Sequence, residues 1–166
     1  FMKKGVGGSS FPRVFSLGYD TSATIGCSIE GGTCYIWPYT GPHLSGSMPA
    51  GYNNGTAWTH IAVCRSGTTV QLFIDGSMVS SRTDNRNIND SINPGFNLNM
   101  GVDNPAAGSP NWWAGGLTNF RWTNSAVYTG SSLTVPTSPL TILPQTKLLM
   151  LGGSTSNPVS DSTGYN

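Results

Sequence analysis

The run from Trp58 to Ser81 constrains the fold more than any other stretch of the sequence. Two segments rich in β-branched and aromatic residues, 58–64 and 69–74, fit the pleated surface of a strand. Because successive side chains of a strand point to opposite faces, the second segment presents one apolar face made of Val70, Leu72 and Ile74. Asp75-Gly76 follows, and this dipeptide favours a type I′ hairpin turn, which needs positive φ at both central residues. The sequence therefore predicts a three-stranded antiparallel meander.

Shorter segments of the same kind occupy much of the remaining chain. Strands are predicted at 12–18, 23–29, 34–37, 96–102, 112–123 and 147–151. The long connection at 38–56 is rich in Pro and Gly and is predicted as a loop. No stretch sustains the i, i+3, i+4, i+7 apolar spacing of an amphipathic helix. The pattern predicts an all-β fold, a sandwich of two antiparallel sheets.

Three groups of motifs resemble a known family. The first is Trp-x-His-Ile-Ala-Val-x-Arg-Ser-Gly at 58–67 with Leu-Phe-Ile-Asp-Gly at 72–76. The second is Trp-Ala-Gly-Gly-Leu-Thr-Asn-Phe-Arg-Trp at 113–122, and the third is the series at 126–130, 136–140 and 146–151. Together they resemble the concanavalin A-like or laminin-G-like lectin jelly roll. The third group is similar to the version of this module found in phage and giant-virus particle proteins.

The resemblance implies both an architecture and a set of functions. It implies a jelly-roll sandwich over residues 1–151 and a tail, or a linker to a following module, over 152–166. Members of the family usually carry further strands before the position of Phe1, so amino-terminal strands are expected to be missing from this sequence. The implied function is a lectin-like carbohydrate-binding or adhesion module on a virion surface or in the extracellular space. A structural capsid or tail decoration module that contacts other particle proteins, or forms a homo-oligomer, is the alternative.

Composition narrows the list of partners. Only 9% of the 166 residues are charged, against about 25% in ordinary soluble proteins. The net charge of +1 provides no basic patch for nucleic acid. No apolar run approaches the roughly 20 residues of a membrane helix. This leaves the partners that the resemblance implies, which are glycans, host-surface polysaccharides and other particle proteins.

Cys27, Cys34 and Cys64 do not form a closed disulfide framework, because their number is odd. If Gly31-Gly32 is a two-residue turn, Cys34 faces Ile29 and Cys27 lies diagonally across, beyond easy bridging. Three buried free thiols are the favoured interpretation, and a Cys27–Cys34 bridge in a different register is the alternative.

Catalytic groups are sparse. Glu30 is the sole glutamate, and it sits at a predicted turn, whereas the six aspartates are scattered over other turns. A retaining glycosidase needs two carboxylates about 5–5.5 Å apart, and no paired run supplies them. His60 lies within the strand pattern and is predicted to be structural. The sequence favours a protein that is not an enzyme, and a glycoside hydrolase is the least favoured hypothesis.

Exposed aromatic rings are the candidate chemistry for sugar binding, because they combine apolar area with a polar group. Adjacent tryptophans on a strand point to opposite faces, so Trp112 is predicted to be exposed while Trp113 is buried. The candidate carbohydrate-binding residues are Trp112, Tyr39, Tyr52, Asp103 and Asn104. The remaining tryptophans, Trp37, Trp58, Trp113 and Trp122, are predicted to lie in the core.

The sequence also contains candidate metal ligands and glycosylation sequons. No cofactor is expected, with calcium as the one candidate, because Asp84, Asn89 and Asp90 are loop-borne oxygen ligands of the kind that calcium prefers. Asn54 and Asn89 each begin an Asn-x-Ser/Thr sequon.

Overall fold

The computed structural model describes residues 1–5, 7, 9–17, 25–37, 43–85, 98–102 and 111–152. Over these residues the chain forms twelve strands that pair antiparallel, which confirms the predicted all-β class. They are β1 Met2–Lys4, β2 Arg13–Leu17, β3 Ile25–Glu30, β4 Thr33–Trp37, β5 Leu44–Ser47, β6 Ile61–Ser66, β7 Thr69–Ile74, β8 Ser77–Thr83, β9 Leu98–Met100, β10 Gly115–Leu117, β11 Phe120–Thr123 and β12 Thr146–Met150. In this part of the chain, no helix is long and apolar enough to cross a membrane.

One layer is a five-stranded sheet with the order β5-β4-β3-β2-β9. The Gly31-Gly32 turn joins β3 to β4, and both glycines have positive φ, 53° and 86°, as a tight two-residue hairpin requires. Pairing places the large apolar side chains of successive strands on one face, which is buried: Phe15, Cys27, Ile29, Cys34, Ile36 and Leu44. This face forms half of the core.

The predicted meander forms the opposing layer, with the order β6-β7-β8. Asp75 and Gly76 have φ values of 44° and 85°, so the predicted type I′ turn is confirmed. Side chains at alternate positions of β7 join the core cluster of the five-stranded sheet, namely Val70, Leu72 and Ile74. The core therefore lies between two layers, as the alternating pattern predicts.

The opposite face of the meander is also buried, which the sequence did not predict. Phe73 points away from the core cluster, yet it is fully buried, and its ring lies 6.3 Å from that of Tyr128. Residues 126–133, here called the covering segment, are bonded to the meander at two backbone positions. The Met78 N–H donates to Ser131 O at 3.1 Å, and the Leu133 N–H donates to Gly76 O at 2.8 Å.

The predicted loop at 38–56 was wrong in part, because Leu44–Ser47 within it forms edge strand β5. Leu44 is its one large apolar residue, and the three that follow are serine and glycine, so alternation alone does not reveal the strand. Gly46 faces the meander, and a Cβ at this position would collide with the Val79 side chain. A glycine is therefore required where the two layers approach most closely.

The predicted strand at 112–123 is interrupted. Asn119 has a φ of 52°, a left-handed conformation that ends β10 and starts β11 in a new pairing. β10 pairs with β1, whereas β11 pairs with β12. β1 is also bonded on its other side, because Met2 and Thr59 exchange backbone hydrogen bonds of 2.9 and 2.8 Å.

The cysteines agree with the favoured prediction. All three are buried free thiols, and Cys34 pairs with Ile29 in the expected register. The diagonal placement nevertheless brings the Cys27 and Cys34 sulfur atoms to 3.8 Å. The hydrogen bond to Cys34 and burial together raise the pKa of the Cys27 thiol well above its ordinary value.

Candidate functional site

Trp112 and Trp113 point in opposite directions, as the alternation predicts. Trp113 is buried and belongs to the core cluster, whereas the Trp112 side chain is 50% exposed. Backbone hydrogen bonds to two other segments hold these two residues in place. The Trp113 N–H donates to Gly101 O at 2.7 Å, and Trp112 O accepts from the Ser9 N–H at 3.3 Å.

A second exposed indole, Trp58, contradicts its predicted place in the core. Its side chain is 45% exposed. Thr59 is fully buried and bonded to β1, so the preceding side chain must point outward. The Trp58 ring rests on Gly116, where a Cβ would come within 2.8 Å of Cη2. Gly116 therefore provides a flat backbone surface for the ring, and this signal becomes visible only once the strand pairing is known.

Both indoles are exposed, and the Trp58 ring rests on Gly116, which follows Trp112 by four residues in the chain. Because Trp113 and Leu117 face the core, we infer that Trp112 and Gly116 share the outward side. Residues 112 and 116 are at most about 14 Å apart along an extended chain. We call the surface made of Lys3, Trp58, Trp112, Ala114 and Gly116 the tryptophan ledge.

Lys3 adds the positive charge of the ledge. It pairs with Gly116 across β1 and β10, and its Nζ lies 5.1 Å from the centroid of the Trp58 ring. This distance is within the range of a cation–π interaction, which holds the ring and the ammonium together. The ledge thus offers aromatic area, one cation and small side chains between the rings.

The loop before Trp58 is closed by the side chain of Asn54. Its Oδ1 accepts hydrogen bonds from the Thr56 N–H at 2.9 Å, the Thr56 hydroxyl at 2.7 Å and the Ala57 N–H at 3.2 Å. This is an Asx turn, which fixes the chain just before the indole. Asn54 is exposed, and its glycosylation stays a prediction.

Two of the five predicted sugar-binding residues, Trp112 and Tyr52, lie within the described part of the chain. Trp112 belongs to the ledge, whereas Tyr52 is half-buried and packs against the core, beside the Gly32 turn. Tyr39, Asp103 and Asn104 lie outside the described residues.

Asp84 occupies a different environment from the open loop that a calcium site needs. It directly follows β8, its side chain is 5% exposed, and its Oδ2 lies 2.7 Å from Arg82 Nη2. A carboxylate neutralised by a guanidinium is less available to a cation. Asn89 and Asp90 lie outside the described residues, within which no group of three metal-ligating side chains occurs. The calcium site stays a prediction.

The described carboxylates are held on separate elements. Glu30 accepts from the Ser28 hydroxyl at 2.7 Å and lies 3.6 Å from Arg13, whereas Asp75 accepts from the His60 backbone N–H at 2.8 Å. Asp84 pairs with Arg82, as described above. Each carboxylate therefore has a partner within the fold.

His60 is buried beneath the amino terminus. Its ring packs edge-on against Phe1, with centroids 4.9 Å apart. Burial, together with the nearby Phe1 ammonium, lowers the pKa of His60 to about 4. The imidazole is therefore neutral near pH 7, as its predicted structural role requires.

Comparison with known families gives one match. The family model Laminin_G_3, described as the concanavalin A-like lectin/glucanases superfamily, matches residues 7–130, about three quarters of the chain. The chain belongs to the concanavalin A-like lectin/glucanase superfamily. No curated protein and no solved structure matches it significantly.

Membership of the concanavalin A-like superfamily confirms the family predicted from the motifs. The name of the superfamily covers lectins, which bind sugars, and glucanases, which cleave them. A lectin-like or binding module fits this membership of the concanavalin A-like superfamily.

Proposed function

We propose that this concanavalin A-like domain binds glycans without cleaving them, and that the tryptophan ledge is the binding surface. We place the domain on the surface of a virus or phage particle or outside the cell, where a host polysaccharide is the ligand. Its low content of charged residues supports this placement, because the surface must be covered by uncharged polar groups.

The observation that carries the proposal is the pair of exposed indoles on one outward surface. A pyranose presents a face of C–H groups that packs on an aromatic ring, and the indole adds an N–H donor for a hydroxyl. Ala114 and Gly116, the small residues that follow Trp112 on the ledge, leave the described surface beside its ring without a bulky side chain of their own. Lys3 adds a donor over the face of the Trp58 ring.

Within the part of the chain that the structure describes, the placement of the three carboxylates supports the absence of cleavage. Asp75 and Asp84 stand at opposite ends of β8, whose length at about 3.3 Å per residue separates them by roughly 20 Å or more. A retaining mechanism needs about 5–5.5 Å between its carboxyl groups, and an inverting mechanism about 6.5–9.5 Å. Glu30 belongs to the five-stranded sheet and is engaged by Arg13.

The test is a glycan array followed by calorimetry on the best ligand. Trp112→Ala and Trp58→Ala are each expected to weaken binding about tenfold or more, because a stacked ring contributes on the order of 1–2 kcal/mol. Ile142→Ala is the matched control, since Ile142 is 55% exposed and lies outside the ledge. Parallel runs with calcium and with a chelator test the predicted metal.

Two results would contradict the proposal. One is a folded domain that binds nothing on a broad array, and the other is binding that survives both tryptophan substitutions unchanged. Reducing sugars released from the ligand during incubation would refute the non-enzymatic part alone.

Assembly contact is the second candidate function, and Phe11 favours it. This side chain is 51% exposed, and it has no polar group with which to contact sugar hydroxyls. Burial of Phe11 and the ledge against a neighbouring particle protein, or in a homo-oligomer, would explain that exposure. Sedimentation of the purified domain distinguishes the two, because a Phe11-dependent oligomer supports assembly and a monomer supports glycan binding.

A further inference from the structure

Two cysteines face each other across the β3–β4 hairpin. The Cys27 and Cys34 sulfur atoms lie 3.8 Å apart, and both side chains are fully buried in the core cluster. Diagonal neighbours on two strands are usually too far apart for a disulfide. Here the two side chains converge from their diagonal positions until the sulfur atoms touch. We call Cys27 and Cys34 the thiol pair.

The register of the hairpin brings the thiol pair together. Cys34 pairs with Ile29, and Cys27 pairs with Ile36, so both sulfur atoms lie on the core face of the five-stranded sheet. A tight two-residue turn joins the strands, and such a turn fixes the register. The contact between the sulfur atoms is therefore a consequence of the strand pairing.

A disulfide needs only a small movement of the thiol pair. The sulfur atoms are 3.8 Å apart, and those of a disulfide are about 2.05 Å apart, so the gap must shorten by about 1.8 Å. Rotations about the two Cα–Cβ bonds can share this movement, because sulfur is the one heavy atom of the side chain beyond Cβ. The neighbouring apolar side chains therefore need to move little.

Cys64 is buried in a different environment. It lies on β6 of the meander, and backbone groups of Val127 and Tyr128 in the covering segment form hydrogen bonds with its sulfur. The thiol pair belongs instead to the five-stranded sheet. Cys64 is therefore an internal reference, a buried thiol of the same protein that contacts backbone groups.

Access to the thiol pair is from the side of β5. Within the described residues, β5 is the outermost strand of its sheet and is four residues long. Such an edge opens at a lower free energy than the interior strands. Cys34 pairs with Gly46 of β5, whereas Cys27 lies one strand further inside and pairs with Phe15. Opening of β5 therefore gives a reagent access to Cys34 first.

We propose that the thiol pair is a redox site, at which a small-molecule disulfide converts Cys27 and Cys34 into a cross-strand disulfide. The Cys34 thiolate attacks one sulfur of the small disulfide, and one small thiol leaves. The Cys27 sulfur then releases its proton and attacks the Cys34 sulfur of the mixed disulfide, and the second small thiol leaves. The two cysteines lose two electrons, which the small disulfide gains, and their two protons end on the small thiols.

The new bond ties two interior strands of the five-stranded sheet together. It closes a loop of eight residues, from Cys27 to Cys34, and such a closure restricts the unfolded chain more than the folded one. Reducing compartments keep thiols free, whereas oxidising surroundings let disulfides persist. The domain is therefore more stable after it passes from a reducing to an oxidising environment. This device is independent of glycan binding by the ledge.

The test is oxidation of the folded, reduced protein by oxidised glutathione, without denaturant. Intact mass and peptide mapping identify the product, and urea unfolding compares the oxidised protein with the reduced one. Cys64→Ser keeps the thiol pair, and Cys34→Ser is the matched variant that removes one member of it. The wild type and Cys64→Ser are each expected to lose two hydrogen atoms in a Cys27–Cys34 bond, whereas Cys34→Ser gains at most a mixed disulfide.

The unfolding equilibrium constant of the bridged wild type is expected to fall about tenfold or more, and a dithiol reductant is expected to reverse the change. A wild type that stays reduced, that carries only glutathione adducts, or that joins either cysteine to Cys64 overturns the proposal. A bridge that lowers stability also overturns it, because the native hairpin then does not accommodate the bond. Should Cys64→Ser not fold, peptide mapping of the oxidised wild type decides alone.

Discussion

Gly116→Ala tests the packing of the ledge most directly. The added Cβ would lie 2.8 Å from Cη2 of Trp58 and 3.5 Å from two further ring carbons. Ordinary carbon contacts are about 3.5–4.0 Å, so something must move by roughly 1 Å. Trp58 is half-exposed, and its ring is therefore expected to swing outward while the backbone of β10 stays in place.

The cost follows from the area that the ring loses. An indole offers about 200–250 Å², and Trp58 is 45% exposed, so about 120 Å² of it is packed. If the displaced ring loses half of that contact, about 60 Å² at 25 cal/mol/Å² gives roughly 1.5 kcal/mol. We expect Gly116→Ala to lower the free energy of unfolding by this amount and to weaken glycan binding together with it.

Urea unfolding measures the stability and near-ultraviolet circular dichroism reports the packing of the indole. Both are applied to Gly116→Ala, Trp58→Ala and the double variant, which form a double-mutant cycle. Gly116→Ala should cost almost nothing once Trp58 is already alanine, because the clashing ring is gone. Gly130→Ala is the control, since its added Cβ would meet Ser132 O at an ordinary 3.6 Å, and it should change stability by less than about 1 kcal/mol. An equal loss in the Trp58→Ala background would refute the reasoning, because the strain would then lie in the backbone.

Three further predictions follow from buried groups. The pKa of His60 is about 4 in the fold and about 6.5 in the unfolded chain, so its contribution is complete above pH 6.5 and is lost as pH falls towards 4. The loss is at most about 3 kcal/mol, because solvent screens part of the interaction. Urea titrations of the wild type and His60→Gln at pH 7 and pH 4.5 should show that the variant loses less. Phe73→Ala should cost about 3–5 kcal/mol in urea unfolding, because the ring is fully buried under the covering segment, whereas Ile142→Ala, at an exposed site, should cost less than about 1 kcal/mol. Burial and Cys34 raise the pKa of the Cys27 thiol, so Cys27 should react with a thiol reagent only at the rate of unfolding, and fast labelling of the native protein would contradict its placement.

The meander and the hairpin at Gly31-Gly32 were predictable from sequence because local rules determine them. Alternation assigns the faces of β7, and Asp75-Gly76 requires the type I′ turn that the structure contains. The partners of each strand were not predictable, since pairing joins residues far apart in sequence. β5 was missed for this reason, because Gly46 matters only once Val79 lies opposite it.

The candidate site, too, was predictable only where local rules determine it. Trp112 was found because the alternation of Trp112-Trp113 is local, and the exposure of one ring follows from the burial of the other. Trp58 was misplaced because its exposure depends on Met2, which fixes Thr59 from another strand. The opposite error concerns Phe73. It lies on the face of the meander expected to be exposed, and the covering segment buries it.

The position of β1 has a mechanical consequence. This strand is bonded to β10 on one side and to Thr59 on the other, so tension applied to the chain through Phe1 runs parallel to the strand. All of these hydrogen bonds then carry the load simultaneously in shear, whereas a strand pulled at right angles unzips one bond at a time. The fold would therefore resist unfolding most strongly when it is pulled through this end.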